Sequence, residues 1–259
     1  MRPAECCVVR DDTDILPWMI RYYYNIGIRD FYIMMHMPSE ELMQCVASFN
    51  NLFPDAKFNS CVKNNKSHMH DEDLKVLTDW AKEDGCDWMI PSDSDEVIIL
   101  FKHNTIQEFL ADYDYEEYIS LHFKWREYVW DKDVFSPENP FTSFDYAEID
   151  FREQTKSIGK LDSHSWFVPG SHFVMHCANP INVDPEVAIC VHFPFRNREQ
   201  FVEKLVIQNE NWMRRYGQFP LSQQIEEDPN FLFKHADVTF AENKVKKKMF
   251  VPLNKELFR

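Results

Sequence analysis

Glycine is scarce in this chain. Its 259 residues hold only 5 Gly, at positions 27, 85, 159, 170 and 217, and they form neither a G-x-G-x-x-G nor a G-K-[ST] loop. Dinucleotide and P-loop cradles need closely spaced glycines so that backbone amides can approach phosphate. Both are excluded, and any phosphate bound here is held by side chains or by an ion. No Ser or Cys stands in a nucleophile elbow. The seven Cys are odd in number and scattered, without a C-x-x-C pair. That argues against a disulfide framework or a zinc knuckle and reads as buried, reduced thiols. Long apolar runs are missing too: nothing approaches the ~18 uninterrupted apolar residues of a membrane span. Met1–Cys7 moves into a strand without the apolar core of a signal peptide. A soluble, cytoplasmic protein is expected, and in that setting the sequon Asn65-Lys66-Ser67 carries little weight.

Positive charge is also in short supply. There are 28 Lys and Arg against 43 Asp and Glu, a formal net charge of −15, which speaks against general nucleic-acid binding. The one dense basic run, Lys244-Val245-Lys246-Lys247-Lys248, reads as a solvated tail or as a weak contact with an anionic membrane or partner.

What the chain does have is core: 44% hydrophobic and 15% aromatic residues, enough for one large domain. Over its first 123 residues, strand and helix patterns alternate. Strands are expected at Cys6–Arg10, Phe31–Met35, Lys57–Val62, Trp88–Pro91 and Tyr118–Phe123. Helices are expected at Ile15–Asn25, capped by Asp12, Thr13 or Asp14, then after the cap Ser39, at Asp71–Glu83 and at Ile106–Tyr113. Gly85 suits the position just past the third strand's following helix. This β-α-β-α order predicts an α/β fold with a mostly parallel sheet flanked by helices. Residues Lys124–Ile189 are less regular and rich in Pro, Asp, Ser and aromatics, as functional loops often are. A long helix, Arg198–Arg215, follows with Asn197 as cap.

The chemistry concentrates at Trp88-Met89-Ile90-Pro91-Ser92-Asp93-Ser94-Asp95-Glu96. A short apolar strand runs into three carboxylates. In a parallel sheet ligands bind beyond the strands' carboxyl ends, and crowded carboxylates repel one another unless a cation joins them. Oxygen donors of this kind suit Mg²⁺ or Mn²⁺, so Asp93 and Asp95 are metal-ligand candidates; the plain alternative is a solvated turn. His192, in Val191-His192-Phe193-Pro194-Phe195-Arg196, and His172, in Pro169-Gly170-Ser171-His172-Phe173, are candidate third ligands, or else hydrogen-bonded core histidines. Arg10 and Asp11, at the end of the first strand, could face a phosphate and a ribose or base, or form a surface ion pair. Lys156, Lys160, Arg196, Arg198 and Lys204 make the one region where basic residues lie beside apolar motifs, as an anionic substrate requires; a solvated face is the alternative.

Taken in order, these blocks resemble family-2-type glycosyltransferases of the GT-A fold. The likeness runs from Cys7-Val8-Val9-Arg10-Asp11-Asp12 and Tyr24-Asn25-Ile26-Gly27 through Gly85-Cys86-Asp87-Trp88 to the Asp-x-Asp-Glu block. It continues at Pro169–His172 and at His192-Phe193-Pro194-Phe195-Arg196 with Gln200, Phe201 and Lys204. The resemblance implies a single GT-A domain over residues 1–259, with a nucleotide-sugar half (1–123) and an acceptor half (124–259). It implies a UDP- or GDP-sugar donor, Mn²⁺ or Mg²⁺ on Asp93 and Asp95 with His192 or His172 as a further ligand, and inverting transfer to a carbohydrate or glycoconjugate hydroxyl. Asp93, Arg10, Asp11, Arg196 and Lys204 then face the donor. The base is a carboxylate of the irregular half, with Glu153 and Glu127 ahead of Asp150, and Trp125, Trp130 or Trp166 could stack on a sugar. One departure stands out: Met35-His36-Met37-Pro38-Ser39-Glu40-Glu41 replaces the family's Asp-rich turn after the second strand. Two other readings are a non-catalytic GT-A-like binding protein and a haloacid-dehalogenase-like phosphatase with Asp93 as nucleophile, since Asp93–Val97 fits D-x-D-x-[TV].

Overall fold

In a computed structural model of the protein, all residues are described except 65–69, 115–118, 162–165, 168–173, 176–178, 218–220, 229, 252 and 259. The described chain divides into two compact units. One comprises Met1–Glu127, Asp150–His192 and Leu253–Arg259; the other comprises Tyr128–Ile149 and Phe193–Pro252.

The first unit opens with β1 (Pro3–Val9), α1 (Leu16–Asn25), β2 (Asp30–His36), α2 (Glu40–Leu52), β3 (Lys57–Lys63), α3 (His70–Glu83) and β4 (Trp88–Pro91). β2 and β4 are buried at every position and β1 at all but one. Strands covered on both faces read as continuous apolar runs for this reason. Ser39 caps α2, its hydroxyl accepting from the Leu42 amide at 3.2 Å. α1 lacks the side-chain cap expected from Asp12, Thr13 or Asp14; it starts with Pro17 in its first turn, where a fixed φ and a missing N–H cost nothing. The Asp12 carboxylate instead accepts from Ser94 Oγ at 2.8 Å. Gly85 follows α3 with φ +81, a left-handed conformation that favours glycine.

The later segments return to the same sheet. β5 (Glu96–Leu100), α4 (Ile106–Ala111), β6 (Ile119–Glu127), β8 (Thr155–Lys160), β11 (Asn179–Asn182) and β12 (Ala188–His192) belong to the first unit, as does the pair β9 (Trp166–Phe167) and β10 (Val174–Met175); β7 (Tyr146–Glu148) lies in the second. The nine-stranded sheet has the order β3-β2-β1-β4-β8-β6-β12-β5, with β11 also paired to β6. β8 and β5 run against the rest. Much of the stretch expected to be irregular is therefore sheet. Its strands are short and interrupted by polar residues, so they lack the period that marks β1–β4.

On one face of the sheet, α3 packs Leu74, Leu77 and Ala81 against Ala4, Cys6, Tyr32, Met34 and Met89. On the other lies α1, whose buried Tyr22 donates to the Ile98 carbonyl at 2.7 Å and stacks on Phe258 at 4.6 Å. Cys6, Cys7, Cys86 and Cys190 are buried free thiols, and Cys45 and Cys61 are half-buried.

The second unit holds α5 (Pro140–Ser143), β7, α6 (Arg198–Tyr216), α7 (Ser222–Glu227), α8 (Phe231–Val245) and β13 (Lys248–Phe250), which pairs with β7. Its core centres on Trp130, which contacts Phe195, Phe201 and Phe240. Asn197 caps α6 as expected, accepting from the Gln200 amide at 2.9 Å. Among the described residues no helix is long and apolar enough to cross a membrane.

Glu5, in the middle of β1, is fully buried, and neither of its carboxylate oxygens has a hydrogen-bond partner among the described residues. Burial pushes its pKa well above the ordinary 4.5. The folded chain then keeps a proton that the unfolded chain has already released. Stability is fullest below about pH 4.5 and falls as the pH rises from there toward the raised value. Replacing Glu5 by Gln is expected to remove this fall. Urea unfolding between pH 5 and 8 should show the wild type losing ground to Glu5→Gln as pH rises; a pH-independent difference would contradict the assignment.

Candidate active site

Sheet topology gathers the polar residues. β1, β4, β6 and β12 point the same way, so their carboxyl ends lie along one edge, and the reversed strands β5 and β8 begin at that edge. The chain leaves β4 through Asp93-Ser94-Asp95 and turns back into β5, with the Glu96 amide donating to the Asp93 carbonyl at 3.0 Å. Cross-strand register then sets Glu96 opposite His192 and His192 opposite Glu127, one row across three strands. β4 is also where the strand order switches: β1, β2 and β3 step away in one direction and β4 lies on β1's other side. Crevices at such switch points are the usual ligand sites of open α/β sheets.

Within this row the ligand atoms of Asp95, Glu96 and His192 all lie within 4.8 Å of one another. His192 Nε2 is 3.5 Å from Asp95 Oδ2, and its Nδ1 is 3.4 Å from Glu127 Oε1. The latter is an ion pair without hydrogen-bond alignment, since Nδ1 has no formed bond. Arg152 holds the other oxygen of Glu127. Lys156, at the start of β8, reaches Glu96 Oε2 at 2.6 Å and Asp93 Oδ2 at 3.1 Å. The Trp125 ring packs on His192 at 5.0 Å. Asp95, Glu96 and Lys156 are almost wholly buried, whereas Asp93 is 41% exposed.

The electrostatics follow from burial and crowding. Burial, assisted by Asp93 and Asp95 against the pull of Lys156, pushes the Glu96 carboxyl up to about 7. Burial opposes charge on His192, but Asp95 and Glu127 outweigh it and push the imidazole up to about 9. Burial likewise opposes the Lys156 ammonium, and Asp93 and Glu96 prevail, holding it charged. For Glu127, burial is outweighed by His192 and Arg152, which hold it below the ordinary carboxylate range. Four carboxylates thus face three cationic groups, Lys156, Arg152 and the His192 imidazole. The donor set, two carboxylates and an imidazole whose ligand atoms lie within 4.8 Å of one another, is of a chemistry that fits Mn²⁺ or Mg²⁺.

Of the residues singled out from the sequence, Asp93, Asp95, His192 and Glu127 come together here. Glu96, Lys156 and Arg152 complete the site. Glu96 reads in sequence as one more acid of the crowd, and only register sets it against His192. Arg10 and Asp11 follow β1 and form an ion pair at 3.9 Å. Glu153 is exposed in the turn before β8. The basic region does not stay together: Lys156 joins the acids, Lys160 pairs with Asp114 at 2.8 Å, and Arg196, Arg198 and Lys204 belong to the second unit, where Arg196 is buried and Lys204 donates to the Pro194 carbonyl at 3.3 Å. Trp130 is a core residue of that unit. His172 lies outside the described residues, as does the side chain of Trp166. After β2, His36 is buried and Met37 has φ +48, a conformation rare for a residue with a side chain.

The mostly parallel sheet flanked by helices, with an acidic edge at its switch point, has the GT-A type of fold. The profile of glycosyltransferase family 92 matches residues 9–229, and the chain belongs to that family. Among solved structures, a mannosyltransferase from Pyrobaculum calidifontis, in complex with GDP-Man and Mn²⁺, shares the fold with a TM-score of 0.51 at 12% identity, covering 93% of this chain and 73% of that one. A Bacillus anthracis protein described as a glucose-1-phosphate thymidylyltransferase matches with a TM-score of 0.35 at 13% identity, over 53% of this chain and 62% of its own length. No curated protein matches the sequence.

The bond from buried Ser94 to Asp12 ties the turn after β4 to the turn after β1. Ser94→Ala is expected to lower stability by about 1 kcal/mol, read by urea unfolding; an unchanged midpoint would show that the tie contributes nothing.

Proposed function

We propose that this glycosyltransferase moves a sugar, with inversion, from a UDP- or GDP-sugar to a hydroxyl of a carbohydrate or glycoconjugate, using Mn²⁺ or Mg²⁺. The observation that carries this reading is the close group Asp95, Glu96 and His192 at the sheet's switch point. The structural relative's complex with GDP-Man and Mn²⁺ supports it. Asp95 and His192 would hold the ion, with Asp93 and Glu96 beside it. When bound, a divalent ion neutralises the charge that develops on a departing diphosphate.

The remaining roles belong to side chains. Glu127 lies behind His192, on the nitrogen away from Asp95. A carboxylate there fixes the tautomer and orientation of a ligating imidazole. Its lowered pKa and its engagement with Arg152 make it a poor proton acceptor, so Glu127 is a positioning residue in this reading. Glu153, exposed just before β8, takes the acceptor hydroxyl's proton. Arg10 and Asp11, beyond β1 and across the switch point from β4, face the nucleotide. Residues 1–259 serve as one transferase domain in this reading. Family membership displaces the phosphatase reading, and Asp93 follows the fourth strand where that chemistry needs the first.

Thermal unfolding with a panel of nucleotide-sugars should show a Mn²⁺-dependent rise in midpoint for one nucleotide class, lost in Asp95→Ala. No rise with any donor would overturn the donor site. A second measurement separates the two carboxylates. Glu127→Gln is expected to weaken Mn²⁺ binding about 10- to 100-fold. Glu153→Gln should leave that binding intact and lower kcat by about 10²- to 10⁴-fold. The opposite pattern would exchange their roles.

A further inference from the structure

Lys156 has no part in the transfer as just described, yet it is the most deeply placed cation at the site. Its side chain is 5% exposed. Removing an ammonium from water costs several kcal/mol unless carboxylates compensate it, and two do so, from two different segments: Asp93 in the turn after β4 and Glu96 in β5. The Trp125 ring from β6 lies 5.6 Å from the ammonium, within the range of a cation–π contact. The lysine therefore occupies a built cation position walled by three strands and a turn. It shares Glu96 with the other group, because Glu96 meets Lys156 at 2.6 Å and also belongs to the cluster with Asp95 and His192.

We infer that Lys156 is a resident counter-ion of the acidic edge, which keeps that edge folded without metal and holds down the site's own affinity for a divalent ion. The inference rests on the metal-binding reading above. Its consequence is an order of events. Lys156 holds Asp93 and Glu96, and His192 stands 3.5 Å from Asp95, so an ion arriving alone would meet donors that are already engaged. Lys156 would thus keep the binding of an ion alone weak, and the negative charge of a diphosphate donor would favour binding of the two together. Lys156 is a positioning residue here: its fixed charge, close to the ion's position, acts through repulsion and through its hold on two carboxylates.

The test compares Mn²⁺ binding by wild type, Lys156→Met, Lys156→Arg and Asp95→Ala, measured by calorimetry with Mn²⁺ alone and with Mn²⁺ plus UDP or GDP, alongside unfolding midpoints. Lys156→Met, similar in length and neutral, is expected to bind Mn²⁺ alone at least about tenfold more tightly than wild type. The gain in affinity on adding nucleoside diphosphate should shrink by a similar factor. Its metal-free midpoint should fall and its recovery with Mn²⁺ should exceed that of wild type. Lys156→Arg should stay near wild type. Equal or weaker Mn²⁺ binding by Lys156→Met would overturn the inference and leave the metal site standing. No Mn²⁺ binding by wild type, with or without nucleotide, would overturn both. If Lys156→Met folds only with Mn²⁺, that supports the counter-ion role. If it folds under neither condition, ¹⁵N spectra of the wild-type lysine ammonium groups decide: a protected Lys156 signal that shifts on Mg²⁺ titration with nucleotide supports the inference, and one that does not move overturns it.

Discussion

Four carboxylates brought to one edge of a largely buried sheet set the constraint on which the rest of the site depends. Asp95 and Glu96 are almost wholly buried, and Glu127 and Asp93 stand close by. Unmatched negative charge in that setting would cost several kcal/mol per group. The protein answers with Lys156 on Asp93 and Glu96, Arg152 on Glu127, and an imidazole between Asp95 and Glu127. Each cation comes from the region after β6, and each acid but Glu127 comes from the turn at β4. The match therefore exists only once the two halves of the sheet have paired.

The reversal at Asp93–Asp95 does more than present acids. By sending β5 antiparallel to β12 it sets Glu96 against His192, and the parallel pairing of β12 with β6 sets His192 against Glu127. Side chains on one face of a sheet alternate with period two, so a slip of one residue in either pairing would turn His192 away from the acids. β5 and β12, buried at every position but the last, hold this register. Ser94 and Asp12 fasten the turn to the end of β1 beside the switch point.

The chain belongs to glycosyltransferase family 92 and has a GT-A-like fold, and this edge lies at the switch point of its sheet, where open α/β sheets usually bind their ligands. Positive charge built into the fold, from Lys156, Arg152 and the His192 imidazole, meets the carboxylates of this edge directly.

The amino-acid sequence alone carried the first half of the fold. Buried strands such as Phe31–Met35 and Trp88–Pro91 are continuous apolar runs, and α2 and α3 show the helical period, because local burial writes itself into local pattern. The acid pair Asp93 and Asp95 was legible for the same reason: it directly follows such a strand. His192 and Glu127 were legible as candidates, in an apolar run and an irregular one, without any sign of their mutual contact. Tertiary structure decided the rest. Short strands β8, β11 and β12 gain their identity from neighbours distant in sequence, which no local period records. The partnership of Lys156 with Glu96, the row from Glu96 through His192 to Glu127, and the engagement of Arg152 all depend on strand order and register. Those are properties of pairing between segments, and a chain read residue by residue holds them only once it is folded.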